Sequence, residues 1–141
     1  MARNMDKWLG DGGMVILEEL GVNLTGYGEG WVEGTWSPTS KACNPNGPVQ
    51  GGISAVVTDA VMAFATLSAL ERGENCSLID MKLTYLRGAV RGDQLKIRGE
   101  VSRMARTVAF CKAIITANSG EVIVEASGTN LLRRVNINSH D

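Results

Sequence analysis

The sequence is poor in histidine and cysteine. Its one histidine, His140, lies in the polar segment at the end of the chain. A Ser-His-Asp or Cys-His arrangement therefore has no plausible base to activate its nucleophile. The cysteines are far apart and form no Cys-x-x-Cys pair (Cys43, Cys76 and Cys111). This spacing argues against a zinc site and a disulfide framework, so we expect no metal and no cofactor.

The sequence also lacks an excess of charge of either sign. Its 14 lysines and arginines and 15 aspartates and glutamates give a net charge of −1, which does not favour nucleic acid or an acidic membrane as a partner. The N-terminal residues contain no apolar segment followed by small cleavage residues, so we expect a cytoplasmic protein. A chain of 141 residues suits a single core. We predict one domain over 1–134 and a polar tail over 135–141.

Proline is confined to one loop, and a long apolar run follows it. All three prolines lie within 38–50. Between Gly52 and Leu70 the only strongly polar side chain is Asp59. This pattern predicts one long helix over about residues 51–72, ended near Gly73. Because the stretch is near the lower length limit for a membrane span and contains an acid, we predict a core helix wrapped by a sheet.

Asp59 is the unusual residue of this helix, because carboxylates are rarely buried without a partner. It follows Gly52 by seven positions, close to two full turns, so both lie on one helix face. Gly51 and Gly52 stand at the helix start, where N–H groups are unpaired and a ligand oxygen can approach closely. That geometry suits an oxyanion hole. The alternative is a structural carboxylate that bonds a neighbouring backbone or hydroxyl group.

These residues resemble the motif of a known family. Asn44, then Gln50-Gly51-Gly52, then Asp59 have the spacing found in hotdog-fold acyl-CoA thioesterases of the phenylacetic-acid-degradation and hydroxybenzoyl-CoA type. The chain departs from that family at Gln50, where a histidine is usual. The resemblance implies that the Gly51 amide polarises the thioester carbonyl and that Asp59 acts as nucleophile or general base. Asn44 and Gln50 would position substrate or water, although a glutamine cannot take up a proton.

The same resemblance implies where the rest of the substrate binds. Gly52 and the small side chain of Ala63 leave room beside the helix. The family has a small hydroxyl residue near the start of the first strand after the helix, and Ser77 comes within one residue of that register. In the family, basic residues near strand turns meet the phosphates of coenzyme A, which implies such a role for Arg87 and Arg106.

The residues before the proline-containing loop predict small elements. Helical spacing over 4–20 indicates one or two short helices, and Gly21 ends the second. Residues 22–37 alternate loosely around a Gly-Glu-Gly turn and predict a first hairpin. Trp31 and Trp36 would then lie on opposite faces of one strand, one toward the core and the other toward an interface or solvent.

The residues after the helix alternate with period two, as strands do. They form four runs, over 76–88, 93–102, 106–117 and 121–133. The first run is expected to place its larger apolar residues on one face (Ile79, Met81, Leu83 and Tyr85). Antiparallel neighbours with one early helix indicate an α+β fold. The hotdog resemblance implies the same architecture, a curved antiparallel sheet wrapped around one long central helix.

The predicted function is hydrolysis of an acyl-CoA thioester with a small, aromatic or medium-chain acyl group. The resemblance implies a homodimer, or a tetramer, because in these enzymes the acid of one protomer faces the glycine amide of the other. Gly52 and Asp59 are about 10 Å apart along the helix, too far to touch one carbonyl. Alternatives are an acyl-CoA-binding or regulatory protein without turnover, suggested by Gln50, and a non-enzymatic dimeric scaffold. A hydratase is disfavoured because no histidine follows Asp59 within a few residues.

Overall fold

A computed structural model describes residues 2–135 of the chain. In chain order its elements are a 3-10 turn at Asp6–Trp8, α1 at Val15–Leu20, β1 at Val22–Gly28, β2 at Trp31–Trp36, a 3-10 turn at Ser40–Ala42, α2 at Gly51–Ser68, β3 at Asn75–Tyr85, β4 at Leu95–Met104, β5 at Val108–Ala117 and β6 at Val122–Arg133. The predicted short helices, first hairpin and four later strands are all confirmed. His140 and the predicted tail beyond Val135 lie outside the described residues.

The six strands form one antiparallel sheet in the order β1-β2-β4-β5-β6-β3. α2 contacts every one of them. Six strands about 4.8 Å apart span about 24 Å, more than twice the width of a helix, so this sheet must curl around α2 to touch it with each strand. The predicted α+β architecture, with a curved antiparallel sheet around one long helix, is confirmed.

α2 ends at Ser68, four residues before the predicted end at residue 72. The next two N–H groups donate to carbonyls only three residues back, so the last turn tightens. The chain then turns through Gly73, which has a φ of +90°. The carboxylate of the buried Glu74 accepts the N–H of Glu71 at 2.8 Å and stabilises this turn. Because the turn leads directly into β3, the helix does not continue.

β3 presents only part of the predicted face to the core. Met81 and Leu83 pack against the core as expected. A bulge at Ile79 shifts the register against β6, and an extra residue in a strand reverses which side chains face inward. Ile79 is therefore 56% exposed, and the prediction that it shares one face with Met81, Leu83 and Tyr85 is wrong. Tyr85 keeps the alternation of Met81 and Leu83, and its hydroxyl reaches α2, although its position at the strand end leaves it 51% exposed.

The two tryptophans of β2 lie in different environments, as predicted. Trp36 is fully buried, and its indole N–H donates to the Leu20 carbonyl at 2.9 Å. Trp31 is only partly buried, and the guanidinium of Arg98 lies 4.8 Å from the centre of its ring. A cation over an aromatic face is a favourable contact on the solvent side of a sheet.

α2 rests directly on β4 because Gly99 has no side chain. A Cβ atom at this position would overlap the carbonyl group of Val61, which is part of the α2 backbone. The partners of Gly99 along the same row are also small, since Ala113 pairs with Gly99 and Ala126 pairs with Ala113. This row of small residues sets how closely the helix approaches the sheet, and so where the helix start lies relative to the strand ends.

Candidate active site

Backbone hydrogen bonds hold the loop before α2. The Asn44 N–H donates to the Pro48 carbonyl at 2.8 Å, and the Gln50 N–H donates to the Ala42 carbonyl at 2.9 Å. A further bond, from the Val49 N–H to the carbonyl of residue 89, ties the loop to the segment after β3. Asn44 and Gln50 therefore have fixed positions relative to the helix start.

Asn44 and Gln50 differ in what they can offer a ligand. The Asn44 Oδ1 accepts the Asn46 N–H at 2.9 Å, so its amide oxygen is used within the loop. Gln50 immediately precedes the first helical residue, and its exposed side chain does not cap the helix. The Gln50 amide can therefore donate to or accept from a molecule bound at the helix start.

The start of α2 presents two glycine amides. Helix geometry leaves the N–H groups of the first turn without partners inside the helix. One of them, the Ile53 N–H, donates to the Gln50 carbonyl just before the helix at 2.9 Å. Gly52 is exposed, and the space that a Cβ would occupy there is open. An oxygen atom with negative charge can thus approach Gly51 and Gly52 at the positive end of the helix.

Asp59 lies on a stripe of α2 that the chain itself leaves partly uncovered. Gly52 is exposed, and Val56, Asp59, Ala63 and Leu67 are only half-buried. Steps of three or four residues place all five on one face of the helix. The predicted wrapping of α2 on every side is therefore incomplete within one chain. The predicted residues Gly52, Asp59 and Ala63 share this stripe.

The Asp59 carboxylate makes no hydrogen bond or ion pair with any of residues 2–135. The structural alternative, in which a neighbouring backbone or hydroxyl group bonds this acid, is therefore not supported. Burial raises the pKa of Asp59 above its usual range, because the charged form loses contact with water. Asp59 is also eight residues from Gly51, about 12 Å along the axis, so one chain does not bring the two to the same atom.

Cys76 lies against α2 at Ala63, on the stripe that holds Asp59, a placement that sequence reasoning missed. Its Sγ is 3.9 Å from the Ala63 carbonyl oxygen. Burial, with smaller contributions from Cys111 and Asp59, raises the pKa of Cys76 to about 11. The thiol therefore stays protonated and is not a nucleophile. Cys76 lies two residues before Leu78 in β3. This period-two spacing was the signal in the sequence that Cys76 faces inward.

The remaining predicted binding residues lie apart from one another. Ser77 is exposed on β3, where it alternates with the inward-facing Cys76. Arg87 pairs with Glu121, with Nε 3.4 Å from Oε2, at the end of the sheet where α2 begins. Arg106 lies in the β4–β5 turn, next to the end of β6. Because β6 is 12 residues long, Arg87 and Arg106 are separated by about 30 Å or more.

Tyr85 is a second residue that sequence reasoning missed. Its hydroxyl donates to the Gly51 carbonyl at 2.6 Å. The period-two pattern placed Tyr85 on one face with Met81 and Leu83 and carried no information about its hydroxyl group. In the structure this hydroxyl joins the last residue of β3 to the first residue of α2.

A family profile matches most of the region just described. The profile of the thioesterase superfamily matches residues 46–124, more than half of the chain. The protein belongs to the thioesterase superfamily. The matched residues include Gln50-Gly51-Gly52 and Asp59, and begin two residues after Asn44.

Individual members of the superfamily resemble the chain over different lengths. Human acyl-coenzyme A thioesterase 13 is 30% identical over 90 residues, which cover 63% of this chain and 64% of the human protein. The chain thus spans just under two thirds of the length of the curated relatives it matches. The crystal structure of zebrafish thioesterase superfamily member 2 aligns with a TM-score of 0.77 and 26% identity, covering 84% of this chain and 85% of the other.

The Escherichia coli PaaI protein from the phenylacetic acid degradation operon has the same fold. Its structure aligns with a TM-score of 0.77 and 18% identity, covering 88% of this chain and 86% of that protein. The predicted resemblance to hotdog-fold thioesterases is confirmed, since the profile shows the superfamily and this structure shows the fold. The roles assigned to individual residues of this thioesterase-superfamily chain stay predictions.

Proposed function

We propose that the protein is an acyl-CoA thioesterase, which hydrolyses a small, aromatic or medium-chain acyl-CoA to the free acid and coenzyme A. The observation that carries this proposal is the stripe of α2 that holds Asp59, a carboxylate with a raised pKa and no bonded partner within 2–135, and that leads to the exposed Gly52 at the helix start. The relationship to human acyl-coenzyme A thioesterase 13 supports the same activity.

Each part of the site has a defined role in this reaction. The thioester carbonyl oxygen accepts a hydrogen bond from the Gly51 amide, which stabilises negative charge as the tetrahedral intermediate forms. Asp59 either attacks the carbonyl carbon or takes a proton from the attacking water. The carbon–sulfur bond then breaks, and the sulfur leaves as a thiol after it takes up a proton. Where Asp59 itself attacks, water then hydrolyses the acyl-aspartyl anhydride to the free acid and restores the carboxylate. Asn44 and Gln50 orient the water or the thioester.

A second copy of the chain completes this site. Because Gly51 and Asp59 are about 12 Å apart along one helix, the acid of one protomer acts with the glycine amides of the other. The partly uncovered stripe of α2 supports an interface there. A homodimer is the smallest assembly that satisfies this requirement, and a homotetramer contains two such dimers.

The two edges of the sheet indicate where the second copy docks. Gly10 exchanges two hydrogen bonds with Leu24 of β1, at 2.8 and 2.7 Å, and so blocks that edge near the middle of the strand. No segment within 2–135 pairs with the outer edge of β3, an 11-residue strand that exposes Ile79. An unpaired edge of this length favours pairing with another strand. We therefore place the dimer contact along β3.

Binding without turnover is the second candidate function. The observation that favours it is Gln50, which is exposed at the helix start and cannot transfer a proton. Thiol release from a panel of acyl-CoAs of varied chain length and aromaticity separates the two functions. The thioesterase proposal expects turnover of at least one substrate by the wild type. Saturable binding without thiol release, and turnover only in Gln50→His, would favour the binding protein.

Mixing two inactive variants tests the shared site. Gly51→Pro removes the amide N–H and adds a ring whose Cβ meets the Tyr85 hydroxyl at 3.3 Å. The backbone accepts it, because proline suits the first helical position and Gln50 has the φ of −67° and ψ of 134° that a residue before proline adopts. Asp59→Asn removes the carboxylate from the other half of the site. Random exchange of subunits between these variants should restore about a quarter of wild-type sites, since half of the dimers are mixed and each has one intact site. A site within one chain would give no recovery.

The raised pKa of Asp59 predicts the pH dependence of the reaction. Only the ionised carboxylate can attack or accept a proton, so kcat/KM should rise with pH through an apparent pKa above that of ordinary aspartate. The folded protein holds this proton to higher pH than the unfolded chain does. Stability should therefore fall as pH rises through the same range, and Asp59→Asn should remove that fall. Thiol release and urea unfolding over about pH 4–8 measure both effects.

A further inference from the structure

Tyr85 connects the edge strand β3 to the helix start through one hydrogen bond. Its Oη lies 2.6 Å from the Gly51 carbonyl oxygen, at the short end of the range for a hydroxyl donor. The ring is 51% exposed, so apolar burial does not account for its placement. The position of a Cβ on Gly51 would be 3.3 Å from the same hydroxyl. The hydroxyl of Tyr85 therefore lies directly against the first residue of α2.

This bond acts on the Gly52 N–H as well as on the Gly51 carbonyl. The two groups are the opposite ends of one planar peptide unit. A hydrogen bond accepted by the carbonyl fixes the direction of the N–H and polarises it as a donor. The preceding peptide unit has the same arrangement, because its Gln50 carbonyl accepts the Ile53 N–H at 2.9 Å and its other end is the Gly51 N–H. The Gly51 and Gly52 N–H groups thus each belong to a peptide unit whose carbonyl accepts a hydrogen bond.

The helix start needs a support from outside. It begins with two glycines, which have more backbone freedom than any other pair of residues, and no side chain caps it. An oxyanion hole is effective only when its donors are oriented before the charge develops. Of the two peptide units, only the one between Gly51 and Gly52 is held by a distant side chain, Tyr85, 34 residues along the chain.

We propose that the Gly52 N–H is a second oxyanion donor and that Tyr85 is the positioning residue that orients it. This inference rests on the proposed thioesterase function and adds to it a residue from the strand assigned to the dimer contact. The open space around Gly52 allows a substrate oxygen to reach its N–H. Tyr85 does not touch the reacting atoms in this role; it acts through the peptide unit.

Tyr85→Phe tests the positioning role, with Tyr27→Phe as the matched control. Tyr27 also uses its hydroxyl, donating to Asp6 Oδ1 at 2.8 Å, but within the N-terminal segment. Tyr85→Phe should lower kcat by about 10-fold, less than the loss of a whole oxyanion donor. It should leave KM and the melting temperature close to those of Tyr27→Phe. Equal kcat in the two variants, or a fall in kcat that follows a fall in melting temperature, would overturn the proposal.

A binding measurement tests the Gly52 donor without relying on turnover. The probe is an acyl-CoA analogue in which a methylene group replaces the thioester sulfur, so that the carbonyl is kept and cannot be hydrolysed. In ¹⁵N-labelled wild type, this probe should shift the Gly52 amide resonance, and Tyr85→Phe should reduce that shift. An unshifted Gly52 amide would overturn the proposal even in an active enzyme. A Gly52 amide that shifts in a wild type without thiol release, with the shift reduced in Tyr85→Phe, would contradict the thioesterase function and its oxyanion while keeping Gly52 as a carbonyl donor that Tyr85 orients.

Discussion

Asp59→Asn should lower kcat for thiol release by at least about 100-fold, the order expected when a positioned acid-base group is removed. Asparagine keeps the shape of the side chain but cannot attack the thioester or accept a proton from water. The loss should appear in kcat, with substrate binding largely kept. Thiol release from the best acyl-CoA of the panel, measured under saturating substrate, gives the value.

The matched control for this prediction is Glu125→Gln. Glu125 is an exposed carboxylate on β6, away from the proposed dimer contact, and its replacement should leave turnover within about two-fold of wild type because no proposed step uses it. The Asp59 variant should fold at least as stably as wild type near neutral pH, since it removes a partly buried charge. Unchanged turnover in Asp59→Asn would contradict the mechanism, whatever the behaviour of the control.

Gly99→Val should lower the free energy of unfolding by about 3 kcal/mol or more, at the upper end of the cost of overpacking a core. The new side chain would overlap the Val61 carbonyl group, so α2 would have to move away from β4. Movement of the helix separates the sheet from the core residues on both sides of the contact. Urea unfolding followed by circular dichroism measures the change.

Gly88→Val provides the control for Gly99→Val. A Cβ at Gly88 meets no atom within 4 Å, and its φ lies outside the left-handed region. This substitution should change the free energy of unfolding by less than about 0.5 kcal/mol, as is usual for surface positions. A similar loss of stability in both variants would contradict this explanation. It would mean that replacing a glycine by a β-branched residue, and not the overlap with the α2 backbone, lowers the free energy of unfolding.

The sequence predicted those features that depend on neighbouring residues. The apolar run after the prolines located the start of α2 at Gly51, and period-two alternation located four strands within a few residues. Both signals arise from the regular spacing of side chains along an element. The resemblance to hotdog thioesterases likewise depended on short spacings, from Asn44 through Asp59.

Features that depend on distant residues were not predicted. The inward face of β3 changes at Ile79 because of how that strand pairs with β6, which no local pattern encodes. The helix end depends on a buried carboxylate in the following turn, Glu74. The bond from Tyr85 to Gly51 and the contact of Gly99 with Val61 join residues more than 30 positions apart. Long-range contacts of this kind decide the detailed geometry of the candidate site.

The difference between the two sheet edges also limits how far association can proceed. If two copies pair along β3, each contributes the edge that no segment within 2–135 covers, and the outward edges of the joined sheet are the β1 strands, which Gly10 bridges at Leu24. A strand that adds to β1 would have to displace this bridge, so growth by edge pairing is disfavoured beyond two subunits. In such a dimer the short N-terminal segment that carries Gly10 would act against polymerisation, although it lies far from the helix start.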